Sequence, residues 1–112
     1  MARLAAGLLV NALVRRVNAA GGSAMVLAKG DAEAGAILVL TLERGGNPGF
    51  FERGIGPDGK PALVRSGPTE LTDESAVSGY WQRRRSRDSD LWVVELDIAE
   101  AERFAAETLT TG

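Results

Sequence analysis

The chain of 112 residues contains no cysteine and no histidine. Without cysteine, disulfides, thiolate nucleophiles and thiolate metal sites are excluded. Without histidine, the chain lacks the side chain best suited to proton transfer near neutral pH and the commonest metal ligand. Zinc sites and serine–histidine or cysteine–histidine nucleophiles are therefore excluded. An enzyme built on this chain would depend on carboxylates, lysine, tyrosine or serine alone.

The sequence also lacks a long hydrophobic run, a basic tail and a large net charge. The net charge is −2, so the chain has no global positive field of the sort that nucleic-acid-binding proteins usually show. The apolar segment near the N-terminus is too short and too polar to span a membrane. It departs from a secretory signal because Asn11 interrupts it and Arg15–Arg16 falls where a cleavage region is uncharged. We therefore expect a cytoplasmic protein without membrane, metal or cofactor.

The composition is that of an ordinary globular protein, with 45% hydrophobic and 25% charged residues. The length fits one domain with one hydrophobic core. We therefore expect a single domain over residues 1–112, in which residues 106–112 form a frayed C-terminal tail.

Hydrophobic periodicity predicts the elements of the first half. Apolar residues at helical spacing from Ala6 to Val17 favour a helix that ends at Gly21–Gly22. The start is rich in leucine and valine and is also compatible with a strand. The sequence therefore leaves helix and strand as alternatives for residues 4–20. Short apolar stretches separated by turns then predict an antiparallel meander, because such short loops do not allow parallel crossovers. Its strands are expected at residues 23–28, 36–43, 50–55 and 62–66.

The second half returns to helical spacing. Thr72 can cap a helix that ends near Asp88. Residues 90–96 are typical of a strand with one wholly apolar face, formed by Trp92, Val94 and Leu96. Asp97 is expected to cap a last helix, with Glu100 at the capping-box position. The order α-β-β-β-β-α-β-α predicts an α+β fold with about five strands, mainly antiparallel, and about three helices.

The most concentrated charge is an arginine cluster, consisting of Arg83, Arg84, Arg85 and Arg87. One interpretation is a site for an anion or partner, because arginine forks bind phosphates and nearby tryptophans can stack on bases. The other is a solvated helix end, where the dipole favours cations and Asp88 lies within reach of Arg84 and Arg85. Residues 88–107 carry seven acids and one base, enough to pair with the cluster inside the fold. The sequence leaves both interpretations open.

Other chemical groups are weaker candidates. Lys29 and Asp31, in a glycine-containing loop, offer a further contact, although a turn between strands is the simpler interpretation. Asp88 and Asp90 are too few ligands for calcium and suit a turn. Trp81 and Trp92 fall on apolar faces and are expected in the core. No residue is expected to be catalytic or to bind a metal.

Several motifs together resemble a known family. They are Arg15–Arg16 before a glycine, Lys29-Gly30-Asp31 followed by Ala34–Gly35, and Arg83–Arg85 followed by Asp90–Glu95. This set resembles the small bacterial family known as domain of unknown function 1491, over roughly residues 3–104. The middle of the chain matches only as a hairpin-like region. The resemblance implies a compact bacterial domain and transfers no activity or catalytic residue.

Three functions follow as hypotheses. The first is a non-enzymatic binding or interaction module whose arginine cluster contacts an anion or an acidic protein, with self-association also open. The second is an enzyme of unknown reaction that uses carboxylates, which requires at least two of them to converge in a pocket; the candidates are Asp31, Glu33, Asp88 and Asp90. The third is an accessory nucleic-acid-binding protein, which the charge balance disfavours because it requires an unbroken positive face.

Overall fold

The computed structural model describes residues 4–110, which form three helices and five strands. Their order is the α-β-β-β-β-α-β-α order predicted from the sequence, and the α+β prediction is confirmed. The elements are α1 (Ala6–Ala19), β1 (Ser23–Ala28), β2 (Ile37–Glu43), β3 (Gly46–Ile55), β4 (Pro61–Ser66), α2 (Glu74–Arg87), β5 (Trp92–Asp97) and α3 (Ala101–Leu109).

The five strands form one mixed sheet in the order β1-β5-β2-β3-β4. The predicted antiparallel meander is present in β2, β3 and β4. It does not include β1, because β5 lies between β1 and β2, antiparallel to the first and parallel to the second. Helix α2 makes this possible, since it carries the chain across the sheet and allows β5 to run parallel to β2.

The first segment is a helix, which resolves the alternative left open for residues 4–20. Its apolar stripe, which includes Leu13 and Val17, faces the sheet and is buried. The helix ends as predicted at the two glycines. Gly21 has a φ of 90°, and the Gly22 N–H donates to the Val17 carbonyl at 3.0 Å. This is the hydrogen bond of a Schellman cap, which favours glycine in the left-handed position.

Apolar side chains pack on both faces of the sheet. Helices α1 and α3 cover one face, where Trp92 is buried among Val94, Leu96 and the residues of α1. Helix α2 covers the other face, over a smaller cluster that includes Phe50. Trp92 is therefore a core residue as expected, whereas Trp81 on α2 is only half-buried.

Two predicted helix caps are wrong. The cap of α2 is Asp73, one residue after Thr72, and its carboxylate accepts from the Ala76 N–H at 2.7 Å. Asp97 does not cap α3, because its carboxylate instead accepts the N–H groups of Arg44 and Gly45 at 2.7 and 2.8 Å. It thereby holds the turn between β2 and β3, which lies beside the end of β5.

The C-terminal helix extends further than the sequence predicts. Helix α3 runs to Leu109, whose side chain is buried against the core of the α1 face. Residues 106–109 are thus helical where a frayed tail is predicted, because that leucine secures the last turn. Residues 111 and 112 of the predicted tail lie outside the described residues.

Candidate binding surface on helix α2

Helix α2 carries the arginine cluster, and none of its fourteen residues is fully buried. Its apolar side chains, Val77, Tyr80 and Trp81, pack on the sheet but stay half-buried. The Tyr80 ring lies 4.7 Å from the Phe50 ring between centroids. The helix therefore rests on the sheet with one narrow face and buries no residue completely.

Arg84 points from α2 toward the sheet, where it forms a two-pronged ion pair with Glu52 on β3. Its two terminal nitrogens donate to the two carboxylate oxygens at 2.8 and 3.0 Å. The guanidinium also donates to the Tyr80 hydroxyl at 2.8 Å and to Ser66 Oγ on β4 at 3.1 Å. This network joins α2 to two strands, and it removes Arg84 from the residues that could contact a partner.

The electrostatics of the pair follow from these contacts. The hydrogen bond from Arg84 lowers the pKa of Glu52, aided by Ser66, although burial opposes the shift. The hydrogen bond to Glu52 in turn raises the pKa of Arg84. Both groups are therefore charged near neutral pH, and each neutralises the other inside the fold.

The other members of the arginine cluster point outward. Arg85 is half-buried and donates to the Ser89 carbonyl, just beyond the end of α2. Arg83 and Arg87 are exposed, and their side chains make no hydrogen bond or ion pair within residues 4–110. Among the described residues, no ion pair joins Arg83, Arg85 or Arg87 to an acid of residues 88–107. The Asp88 carboxylate instead accepts from the Asp90 N–H at 3.1 Å.

The carboxylates considered for an enzyme are all exposed. Those of Asp31 and Asp88 accept N–H groups of their own turns, as in Asx turns. Such solvated groups do not form a desolvated pair of the kind that general acid–base catalysis uses. No group of three or more carboxylates in the described part of the chain is placed to hold a metal ion.

The loop with Lys29 and Asp31 is bound to the start of β5. The Asp31 N–H donates to the Asp90 carbonyl at 3.0 Å, and the Trp92 indole N–H donates to the Asp31 carbonyl at 2.7 Å. The Trp92 backbone N–H donates to the Ala36 carbonyl at 2.8 Å. The two most distinctive motifs of the sequence are thus hydrogen-bonded to each other. We name this contact between residues 29–36 and 90–92 the β5 clasp.

The glycines of the β5 clasp are required by close approach. A Cβ atom on Gly30 or Gly35 would lie 2.1 or 2.2 Å from the Asp90 carbonyl oxygen, well inside contact distance. Only glycine lets the two backbones meet there. Lys29 is exposed beside this contact. The motif therefore has a structural explanation and does not itself indicate a ligand.

A groove of about 660 Å³ lies between the N-terminal half of α2 and the sheet. We name it the α2 groove. Apolar residues from both sides line it, and three acids, Asp73, Glu74 and Glu95, also line it. Sequence reasoning missed this feature. The sequence feature that indicates the groove is Glu95, a lone acid in the otherwise apolar stretch between Trp92 and Leu96.

Comparisons with solved structures find several similar proteins. A crystal structure of a DUF1491 family protein from Caulobacter crescentus CB15 is 34% identical, with a TM-score of 0.77 over 91% of this chain and 94% of that chain. An NMR structure of a DUF1491 family protein from the same source is 33% identical, with a TM-score of 0.74 over 93% and 94%. The solution structure of protein Atu0922 from A. tumefaciens is 29% identical, with a TM-score of 0.71 over 99% and 98%.

A search of curated proteins found no match. Within residues 4–110, no helix combines the length and apolar character needed to cross a membrane. The family model described as "Protein of unknown function (DUF1491)" matches residues 4–106. The chain therefore belongs to the DUF1491 family, as its motifs suggested.

Proposed function

We propose that this protein is a non-enzymatic binding domain whose outward arginines on α2 contact an acidic or phosphate-bearing partner. The residues of this site are Arg83, Arg85 and Arg87. Arg84, the remaining member of the arginine cluster, is a structural residue because Glu52 neutralises it. The observation that carries the proposal is that Arg83 and Arg87 are exposed and that their guanidinium groups have no hydrogen-bond or ion-pair partner within the described residues.

The geometry of the helix supports an anionic partner. Exposed guanidinium groups on one helix end can bind carboxylate or phosphate oxygens in pairs. Lys29 lies at the same end of the sheet, because β1 ends where Ala28 pairs with Val93, near the start of β5. It is therefore a secondary candidate for the same contact.

The neighbouring carboxylates favour a protein or a small phosphate ligand over nucleic acid. Asp88 and Asp90 are exposed directly after the arginines and interrupt the positive surface. A nucleic-acid site requires a longer continuous row of cations to follow the phosphate backbone. We therefore expect weak binding that depends on salt concentration.

We infer that the domain works in the bacterial cytosol. The solved structures that resemble this chain come from the bacteria Caulobacter crescentus and A. tumefaciens. The lack of cysteine suits a reducing compartment. Both points support the inference, and a fractionation experiment with the tagged full chain would test it.

The arginine site can be tested by NMR titration with inorganic pyrophosphate and with a polyglutamate peptide at low and moderate salt. We expect shifts in the side-chain signals of Arg83 and Arg87 and a loss of affinity of about 10-fold or more in Arg83→Gln/Arg87→Gln. The matched control is Arg15→Gln/Arg44→Gln, which removes the same charge elsewhere and should bind like the parent.

Binding to neither probe, or equal loss in both double variants, would contradict the arginine site. A single-stranded oligonucleotide serves as the third probe. If it binds more tightly than the other two and its affinity falls steeply with salt, the nucleic-acid alternative replaces the proposal.

A further inference from the structure

We infer that the α2 groove is a docking site for an apolar segment of another protein that carries a lysine or arginine. This site is distinct from the arginine site: it lies under the N-terminal half of α2, whereas the outward arginines lie at the C-terminal end. The inference rests on three features of the groove, namely its apolar floor, its unpaired acid and its uniform charge.

The floor of the α2 groove is a set of leucines, most of which the domain covers only in part. Leu40 is buried, whereas Leu27, Leu42 and Leu71 are half-buried beside it. The wall on α2 is formed by Val77 and Trp81. Clefts of several hundred Å³ with mostly apolar linings and a few polar groups are typical binding sites.

Glu95 is the unusual residue of this surface. On β5 it lies in register between Leu40 on β2 and Met25 on β1, a residue that is 55% exposed. The residue is half-buried, and its carboxylate makes no hydrogen bond or ion pair with another residue among 4–110. An unpaired carboxylate beside apolar side chains offers a complementary contact to an approaching hydrogen-bond donor or cation.

The charge around the α2 groove has one sign. Asp73 and Glu74 lie at the opposite side of the groove, and no lysine or arginine is among its described lining residues. Asp73 is engaged in capping the helix, whereas Glu74 is exposed. A complementary occupant therefore supplies apolar side chains for the leucines and a cation for Glu95. An anionic membrane surface would be repelled.

The size of the groove fits a peptide segment. About 660 Å³ holds a few side chains and not a folded domain. One face of an amphipathic helix or a short extended strand presents such a set, and both are common modes of peptide recognition. A basic, amphipathic segment of a partner protein therefore satisfies the leucine floor and the carboxylate together.

The test is a selection of random dodecapeptides displayed on phage against the immobilised full chain. We expect the enriched peptides to combine apolar residues with lysine or arginine. A synthetic copy of an enriched peptide should shift the methyl signals of Leu27, Leu42 and Val77. Its affinity should fall about 10-fold for Glu95→Gln, an isosteric change that removes the charge. Glu74→Gln, at an exposed position, gives a second variant with an expected loss of about threefold.

Two controls separate this site from the others. Glu102→Gln removes an exposed acid on α3 and should leave peptide binding unchanged. Arg83→Gln/Arg87→Gln should also leave it unchanged, so that failure of one proposal does not imply failure of the other.

Several outcomes would overturn the inference. One is a selection without enrichment, and another is enrichment of acidic or uncharged peptides. A third is binding that neither Glu95→Gln nor Glu74→Gln weakens. If sedimentation shows that the chain associates with itself and Glu95→Gln abolishes that association, a second copy occupies the groove and no separate partner is required.

Discussion

Arg84 and Glu52 are joined by two hydrogen bonds, and the same guanidinium reaches Tyr80 and Ser66. The side chains of Arg84 and Glu52 are only 29% and 25% exposed. An ion pair at this depth differs from a surface pair, because removal of one partner leaves the other charge partly desolvated. The network therefore contributes to the attachment of α2, a helix that has few other means of attachment.

The replacement Glu52→Gln should lower the free energy of unfolding by about 2 kcal/mol, because Arg84 keeps its charge and loses its counterion. Urea denaturation at neutral pH measures the change. Glu102→Gln removes an exposed acid on α3 that does not contact α2. Its free energy of unfolding should stay within about 0.5 kcal/mol of that of the parent. Equal effects of the two replacements would contradict a structural role for the pair.

The ion pair between Arg84 and Glu52 also predicts that the stability of the fold depends on pH. The pKa of Glu52 is lowered from its ordinary value of 4.5 in the folded protein. The contribution of the ionised carboxylate to the free energy of unfolding is therefore complete above the unfolded-state pKa. It is lost as pH falls through the lower folded-state pKa. The stability difference between the parent and Glu52→Gln should therefore be constant near neutral pH and shrink on acidification below 4.5. A difference that does not change with pH would exclude this explanation.

At the scale of elements, the β5 clasp connects the loop after β1 to the strand that enters the sheet last. Its hydrogen bonds run from Asp31 and Trp92 to backbone carbonyls. It thus sets where β5 begins, between two strands that lie far earlier in the chain. The motifs by which the sequence resembles its family are largely this contact, so the resemblance concerns the fold more than a chemical site.

The replacement Gly35→Ala should lower the free energy of unfolding by about 2–3 kcal/mol, because the added methyl group overlaps the Asp90 carbonyl and the backbones must separate. Thermal or urea unfolding checks the value. The matched control is Gly46→Ala at the start of β3, where the nearest atom is 3.7 Å from the added Cβ; it should cost less than about 1 kcal/mol. Similar losses at both glycines would rule out the close approach as the cause.

The sequence predicts the elements well because their determinants are local. The apolar stripe of α1, its glycine cap and the strand at Ser23–Ala28 are all readable from spacing. The place of β5 in the sheet was not predicted, since strand order depends on contacts between distant residues. The same is true of Asp97, whose N–H donors, Arg44 and Gly45, are 53 and 52 positions away.

The candidate site was predicted in part for the same reason. The sequence locates the arginines at the end of a helix, where they are found. It does not reveal that Arg84 pairs with Glu52, 32 positions away on β3. The nearby carboxylate of Asp88 made a local pair look sufficient, although that carboxylate is used by its own turn. Spacing along a helix identifies partners that are within reach, and tertiary structure selects among them.

At the scale of the whole molecule, the two faces of the sheet are unequal. Two helices cover one face and bury five side chains of α1 and three of α3. The other face carries α2 alone, which buries none completely. Both proposed binding sites are on this second face, where the arginines project from the helix and the α2 groove opens beneath it. A lightly packed element is also the kind that moves when a partner binds.

This asymmetry predicts that α2 opens without unfolding of the rest. In native-state hydrogen exchange, amides of α2 should show an opening free energy at least about 1 kcal/mol below that of the central strands β2 and β5, because few buried contacts are lost when the helix detaches. The replacement Val17→Ala, on the buried face of α1, distinguishes local opening of α2 from global unfolding. It should lower the opening free energy of β5 amides by about 2 kcal/mol and leave that of α2 unchanged. If α2 and β5 shift together, the helix opens only in global unfolding, and access to the α2 groove cannot come from its detachment.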